Sequence, residues 1–205
     1  MKIITELDNL KMKTQGKMVY TLEYTNLRIV RNYDDSEPPE RRYCFKGNYK
    51  RIESFFNKDK HEIMLFDKRS KYQTMMFISK GKKFARIIEF GLYNEKEKDI
   101  SVTPYRYTGE TKIICGYKCF KAEYDMPQYG MQFYVYYTTE FKAPLSALLL
   151  LQFNGLKGFP IEYNGSNGDN KYIYSMSEIS FDDVDDCLFE IPKDYKIIYD
   201  ERNKK

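Results

Sequence analysis

Met18, Tyr20, Leu22 and Tyr24 alternate with Lys17, Val19, Thr21 and Glu23, and this period of two returns along most of the chain. Successive residues of a strand point to opposite sides, so such a row marks a strand with one face on a core. Tyr72, Thr74, Met76 and Ile78 form a second row, and Phe84, Arg86, Ile88 and Phe90 a third. Tyr172, Tyr174 and Met176 alternate with Ile173, Ser175 and Ser177, and MQFYVYY at 131–137 is apolar on one face and tyrosine-rich on the other. These rows predict antiparallel strands, roughly ten of them, at the spacing of a sandwich or barrel.

The turns between them are legible too. NYDDSEPP at 32–39, KGK at 80–82, NEKEK at 94–98 and GSNGDN at 165–170 carry the residues that favour tight or polar connections. None reads as an interdomain linker and no internal repeat appears, so one domain is expected over 1–205, with flexible ends at 1–15 and 200–205. One stretch breaks the pattern. APLSALLLLQF at 143–153 opens with a proline suited to a first helical turn and continues without β-branched residues. It predicts a single main helix from Pro144 to Gln152, covered on several sides because it is apolar nearly all round. A lid over a ligand cavity and a central strand are the other readings of this run.

Composition narrows the partners. Tyrosine at 20 residues, with phenylalanine at 14 and no tryptophan, suits pleated, half-wet sheet surfaces. The net charge of +4 comes from 34 basic and 30 acidic residues interleaved along the chain, which argues against nucleic acid as a partner. No run approaches the ~18 apolar residues of a membrane-spanning helix. The first residues, MKIITELDNLKMKTQGK, lack the apolar core of a signal peptide. A cytoplasmic protein and an exported one whose signal has been removed both fit.

The sequence holds little catalytic chemistry. His61, the single histidine, sits in the charged run KDKHE at 58–62 and reads as an exposed surface residue. Cys115 and Cys119 lack the companions of a zinc site and the CxxC spacing of a redox centre, with Cys44 and Cys187 far away. GLKG at 155–158 runs into Phe159-Pro160, where a phosphate loop would need Lys and Ser or Thr. GSNGDN lacks the spacing and closing Glu of a calcium loop. Asp182, Asp183, Asp185 and Asp186 read as the acidic start of a short helical turn capped by Ser180 or Asp182. No catalytic residue, cofactor or metal is expected.

Four stretches carry a family resemblance. ETKIICGYKCFKAEY at 110–124, YVYYT at 134–138, FNGLKGFPIE at 153–162 and CLFEIPKDY at 187–195 stand in the order found in a group of envelope proteins. The chain resembles the GLPGLI family and, more closely, domains similar to the lipoprotein carrier LolA, over about Thr111 to Lys196. Phe159-Pro160-Ile161 replaces the core of the GLPGLI hallmark, and Cys115 stands where a non-cysteine residue is expected. The resemblance implies a mostly β fold: a curved antiparallel sheet forming an incomplete LolA-like barrel with the helix on its concave side. It also implies export, and hence a periplasmic or outer-membrane-associated location.

On this reading the protein is a non-enzymatic envelope binding protein that holds a lipid acyl chain or apolar peptide in its concave sheet. A hydrophobic ligand or a lipoprotein would be its partner. Candidate lining residues are Tyr20, Phe84, Phe133 and Tyr174 on the strands and Leu148 and Leu151 in the Leu-rich run. The alternative is a structural subunit that docks an envelope protein through a sheet edge. Residues 110–124 predict a hairpin turning at Gly116-Tyr117, or through a three-residue loop Gly116 to Lys118. The longer loop would set Cys115 opposite Cys119, within disulfide reach, with Cys44 and Cys187 as the remaining pair. Local disulfide and free packed thiols both remain open, and either way the pair is structural.

Overall fold

The computed structural model describes residues 12–25, 37–57, 60–70, 72–89, 104–126, 131–144, 153–167 and 170–199. They form twelve strands: β1 Gln15–Tyr24, β2 Glu40–Lys46, β3 Tyr49–Phe55, β4 His61–Asp67, β5 Tyr72–Ser79, β6 Lys82–Glu89, β7 Arg106–Ile114, β8 Tyr117–Met126, β9 Met131–Thr138, β10 Phe159–Asn167, β11 Asn170–Ser180 and β12 Lys196–Tyr199. All twelve belong to one sheet, in the order β12-β6-β5-β4-β3-β2-β1-β11-β10-β9-β8-β7. The sheet is therefore open, with β7 and β12 at its edges.

Two antiparallel meanders make up the sheet, β1 to β6 and β7 to β11, each built by neighbours in sequence pairing. What joins them is the β1–β11 pair, which sets Lys17 opposite Ser180 and Tyr24 opposite Tyr172, with a bulge at Val19/Tyr20. The chain leaves β11 and returns over the other meander to add β12 parallel to β6, Ile197 beside Ala85. Every other described pairing of strands is antiparallel.

The expected main helix requires correction. Among the described residues the sole helical element is the 3-10 turn Asp186–Phe189, and no α-helix occurs. Ala143 and Pro144, where the helix was to begin, have no regular structure. The rest of that run, residues 145–152, lies outside the described residues; at Ala143 and Pro144 the first-turn preference of proline is a local propensity that the packing of Ala143 into the main core overrides. Leu148 and Leu151 lie outside the described residues.

The main core draws on β1, β2, β3 and β7 to β11, with Met18, Phe45, Val135, Ile161 and Met176 almost fully buried and Phe141 and Phe153 added from connecting segments. A second, smaller core of Ile63, Leu65, Met76 and Ala85 packs under Ile191 and Tyr195 of the C-terminal segment. This corrects the reading of β6. Its apolar row of Phe84 and Ile88 is half-buried, while the small Ala85 between them is fully buried against the returning chain. That returning segment is anchored along its length: Val184 is buried, Arg51 donates to the Leu188 carbonyl, Tyr49 stacks on Phe189, and Lys83 pairs with Asp194 at 2.6 Å.

The hairpin of 110–124 turns one residue earlier than expected. Ile114 pairs with Tyr117, so Cys115 and Gly116 are the two turn residues, and both have positive φ, 49° and 79°. A two-residue turn of this kind matches the twist of its strands, and Cys115 accepts the left-handed conformation in order to make it. Cys119 then faces Lys112. All four cysteines are free thiols: Cys115 Sγ lies 2.9 Å from the Met176 carbonyl, and burial pushes the Cys119 thiol up to about 11. Thiolates rather than thiols react, so a chromogenic disulfide reagent should label exposed Cys187 first and Cys44 and Cys119 only as the protein unfolds. Labelling of Cys119 as fast as Cys187 in folded protein would contradict this burial.

Candidate functional site

The aromatic residues that the alternation singles out collect on one face of the central strands. Tyr20 on β1, Tyr163 on β10 and Tyr174 on β11 are 3%, 3% and 1% exposed, with the Tyr163 ring 6.3 Å from that of Tyr20 and 5.5 Å from that of Tyr174. Phe153 meets Tyr163 edge-on at 4.9 Å, and Phe133 on β9 stacks on Tyr124 at 5.4 Å. A buried tyrosine hydroxyl must find an acceptor, and here the acceptors are backbone carbonyls. Tyr20 donates to Pro160 at 2.8 Å, Tyr174 to Pro38 at 2.7 Å, and Tyr43 to Pro144. The rings are left as an apolar wall. At its margin Arg41 lies 4.8 Å from the Tyr174 ring and pairs with Glu37 at 2.6 Å. Burial raises the phenols of Tyr20, Tyr43, Tyr172 and Tyr174 and carries Tyr163 up to about 12.

Of the six candidate lining residues, the structure brings Tyr20, Phe133 and Tyr174 to this part of the sheet. Phe84 lies elsewhere, on β6, stacked on Phe77 at 5.7 Å. Pro144 and Phe153, which flank the Leu-rich run, both touch the wall.

On the opposite face the same strands carry a polar groove of about 550 Å³. Thr21, Ser175, Glu162, Tyr136 and Lys121 are successive cross-strand partners on β1, β11, β10, β9 and β8, so they form one lateral row. Glu162 is 7% exposed, and its carboxylate accepts from Lys112 Nζ at 2.9 and 3.1 Å and from Ser175 Oγ at 3.2 Å. Lys112 belongs to β7, three inter-strand gaps from β10, about 14 Å in a flat sheet. One Lys–Glu contact across that span requires the strands to curl toward this face. Beside it Lys121 reaches Glu110 at 3.0 Å and Glu123 at 3.3 Å. The Tyr136 hydroxyl also donates to Glu110, and that bond, followed by Lys121, holds the Glu110 carboxyl below its ordinary range.

Sequence reasoning missed this groove. Glu162 and Lys112 are ordinary charged residues fifty positions apart, and only strand register sets them together. A Glu between Ile161 and Tyr163, both apolar, was the available signal. Two smaller expectations also change. His61 is half-buried rather than exposed, stacked on Phe55 at 4.4 Å with Nε2 3.3 Å from Glu53. The 3-10 turn is capped by Asp185, which accepts from the Cys187 amide at 2.9 Å, not by Ser180 or Asp182. Asp183 and Asp186 pair with Lys46. Among the described residues no group of His, Cys, Asp or Glu is placed to hold a metal, and no helix is long and apolar enough to cross a membrane.

No protein-family model matches this chain, and no curated protein matches it. Among solved structures, PNGF-II overlays 91% of the chain at a TM-score of 0.48 and 13% identity. The chain spans about a third of the length of PNGF-II, 31% of it. The Mycobacterium tuberculosis lipoprotein LppX overlays 85% of the chain and 88% of its own length, at a TM-score of 0.44 and 8% identity. LprF from Mycobacterium bovis covers the same shares at a TM-score of 0.37 and 12% identity.

Proposed function

We propose that this chain is a non-enzymatic binding protein of the cell envelope, holding an acyl chain or similar extended apolar ligand against the aromatic wall. The observation that supports it is the disposal of the tyrosine hydroxyls onto the carbonyls of Pro38, Pro144 and Pro160. With their polar ends already satisfied inside the protein, Tyr20, Tyr43 and Tyr174, buried to 1–3% exposure, would present only ring surface to a chain that displaced their present neighbours, which is what an apolar site needs. Tyr20, Phe133 and Tyr174 are the lining residues proposed on the strands. Leu148 and Leu151 are proposed to line it from the Leu-rich run. A periplasmic or outer-membrane-associated location goes with this reading.

A fluorescent fatty acid tests it. The parent protein is expected to take up the probe, and Leu148→Asp is expected to abolish uptake while melting as the parent does. A parent that binds no probe and carries no lipid mass in native mass spectrometry refutes the reading. One observation favours docking of a partner protein instead: β7 is a nine-residue edge strand that is exposed along most of its length, with Ile113 66% exposed. Its bulge between Tyr107 and Thr111 limits the regular edge to the last four residues, and such bulges discourage strand addition. A stoichiometric protein partner in the same native mass spectrum would decide for that second reading.

A further inference from the structure

We infer that the apolar ligand is a fatty carboxylate, seated along β4 to β6 on the face of the aromatic wall, with its charged end at Arg86 and Lys60. The inference rests on the apolar reading above and adds to it the ligand's charge and its seat. Three observations carry it.

The first is register. Tyr20, Arg41, Ser54, Glu62, Phe77 and Phe84 are successive cross-strand partners from β1 to β6. Cross-strand partners share a face, so Phe84 lies on the face of the wall, at the far end of one lateral row. The next row runs from Met18 through Tyr43, Ile52, Met64 and Met75 to Arg86. The second observation is access. At the centre of the sheet this face is sealed, with Met18, Tyr20 and Tyr174 at 0%, 3% and 1% exposure. Over β4 to β6 it is partly open: Met64, Phe66, Met75, Phe77, Phe84 and Ile88 are all half-buried. An alkyl chain laid on that strip removes apolar surface from water without displacing a packed ring.

The third observation is charge. Lys60, Glu62, Met75, Phe77 and Arg86 share a pocket of about 370 Å³, within the range of small-molecule sites. The Arg86 guanidinium lies 5.3 Å from the Phe77 ring, at the edge of the apolar strip. His61 also borders the pocket, with its Nε2 3.3 Å from Glu53. Among the described residues, the register places Lys50, Lys82, Arg86 and Lys196 on this face of β3 to β6 and β12, against Glu62 as the one carboxylate. Further along the row Arg41 and Glu37 pair with each other. An anion at this end therefore meets net attraction, and the planar fork of an arginine fits a carboxylate. An alcohol gains only a neutral hydrogen bond there, and a quaternary ammonium is repelled.

Saturation-transfer NMR titrations of the full chain with decanoate, decanol and decyltrimethylammonium, each kept below self-association, test this. Decanoate is expected to bind at least about tenfold more tightly than the other two, the size of one hydrogen bond to a charged group. Arg86→Met should remove most of that preference by weakening decanoate alone, and Arg86→Lys should restore part of it. Phe84→Ser should weaken decanoate and decanol alike. Folding is checked by circular dichroism, with Lys60→Met and Met75→Ser as replacements for a variant that does not fold. Decanol or the ammonium binding as tightly as decanoate, or a folded Arg86→Met that keeps the preference, overturns the inference and leaves the apolar reading standing. So does a folded Phe84→Ser that binds both chains as the parent does. Absence of binding by all three overturns the apolar reading as well.

Discussion

Raising the pH from 10 to 12 is expected to unfold this protein cooperatively. A phenol ionises near 10 in an unfolded chain. In the fold, burial carries Tyr163 up to about 12 and raises Tyr20, Tyr43, Tyr172 and Tyr174 in the same direction. A raised folded value means that the native state holds its protons more tightly than the unfolded state. The corresponding stability is complete below pH 10 and is lost as the pH climbs through the folded values. For Tyr163 alone, a two-unit shift is about 3 kcal/mol, against about 5–15 kcal/mol for the whole stability of a typical domain. Cys119, raised to about 11, acts in the same sense between 9 and 11. Tyrosinate absorbance and far-ultraviolet circular dichroism should change together. Buried phenols that titrated near 10 with the sheet intact would show that the aromatic wall is open to water.

Gly158→Ala is expected to cost about 3 kcal/mol or more, at the upper end of what overpacking does. A Cβ at Gly158 would fall 2.3 Å from the Thr138 carbonyl oxygen and 2.5 Å from a ring carbon of Tyr137. The oxygen belongs to β9, which is clamped between β8 and β10, so it has no room to retreat. This explains why a glycine stands just before Phe159-Pro160 in a segment with no phosphate to cradle. Gly116→Ala makes the contrast. Its Cβ would meet nothing within 4 Å, and the cost is only that of a left-handed alanine at φ 79°, about 1–2 kcal/mol. Thermal melts of the two variants should differ clearly. Equal melting temperatures would mean that the β9–β10 contact yields more easily than two paired strands should.

The sequence foretold the strands well where one face alone is buried. Met18 and Tyr20 are inside as their alternation requires, Tyr174 and Met176 likewise, and the polar loop at 165–170 does join a hairpin. It misled where both faces are in use. On β6 the apolar row predicts the core face, yet Ala85 on the other side is the residue that is sealed, because the C-terminal segment lies over it. A two-sided strand gives no clean period, and alanine is too small to announce burial. The Cys115-Gly116 turn failed for a different reason: Gly116 supplies positive φ at either turn position, so the register of Ile114 on Tyr117 had to decide.

What the sequence by itself determined is therefore local: which segments are extended, which face of most of them is apolar, and where neighbouring strands turn back on each other. These depend on side-chain alternation and turn chemistry within a few residues. The tertiary structure alone decided the long-range pairings. Tyr24 meets Tyr172, Ile197 lies beside Ala85, and Lys112 crosses two strands to neutralise Glu162. Closing such long loops is costly in chain entropy and is repaid only when whole faces match across the sheet. No short window of sequence contains that balance, so alternation could name Tyr20, Phe133 and Tyr174 one at a time, while their meeting with Tyr43 and Tyr163, and the groove behind them, could not be read.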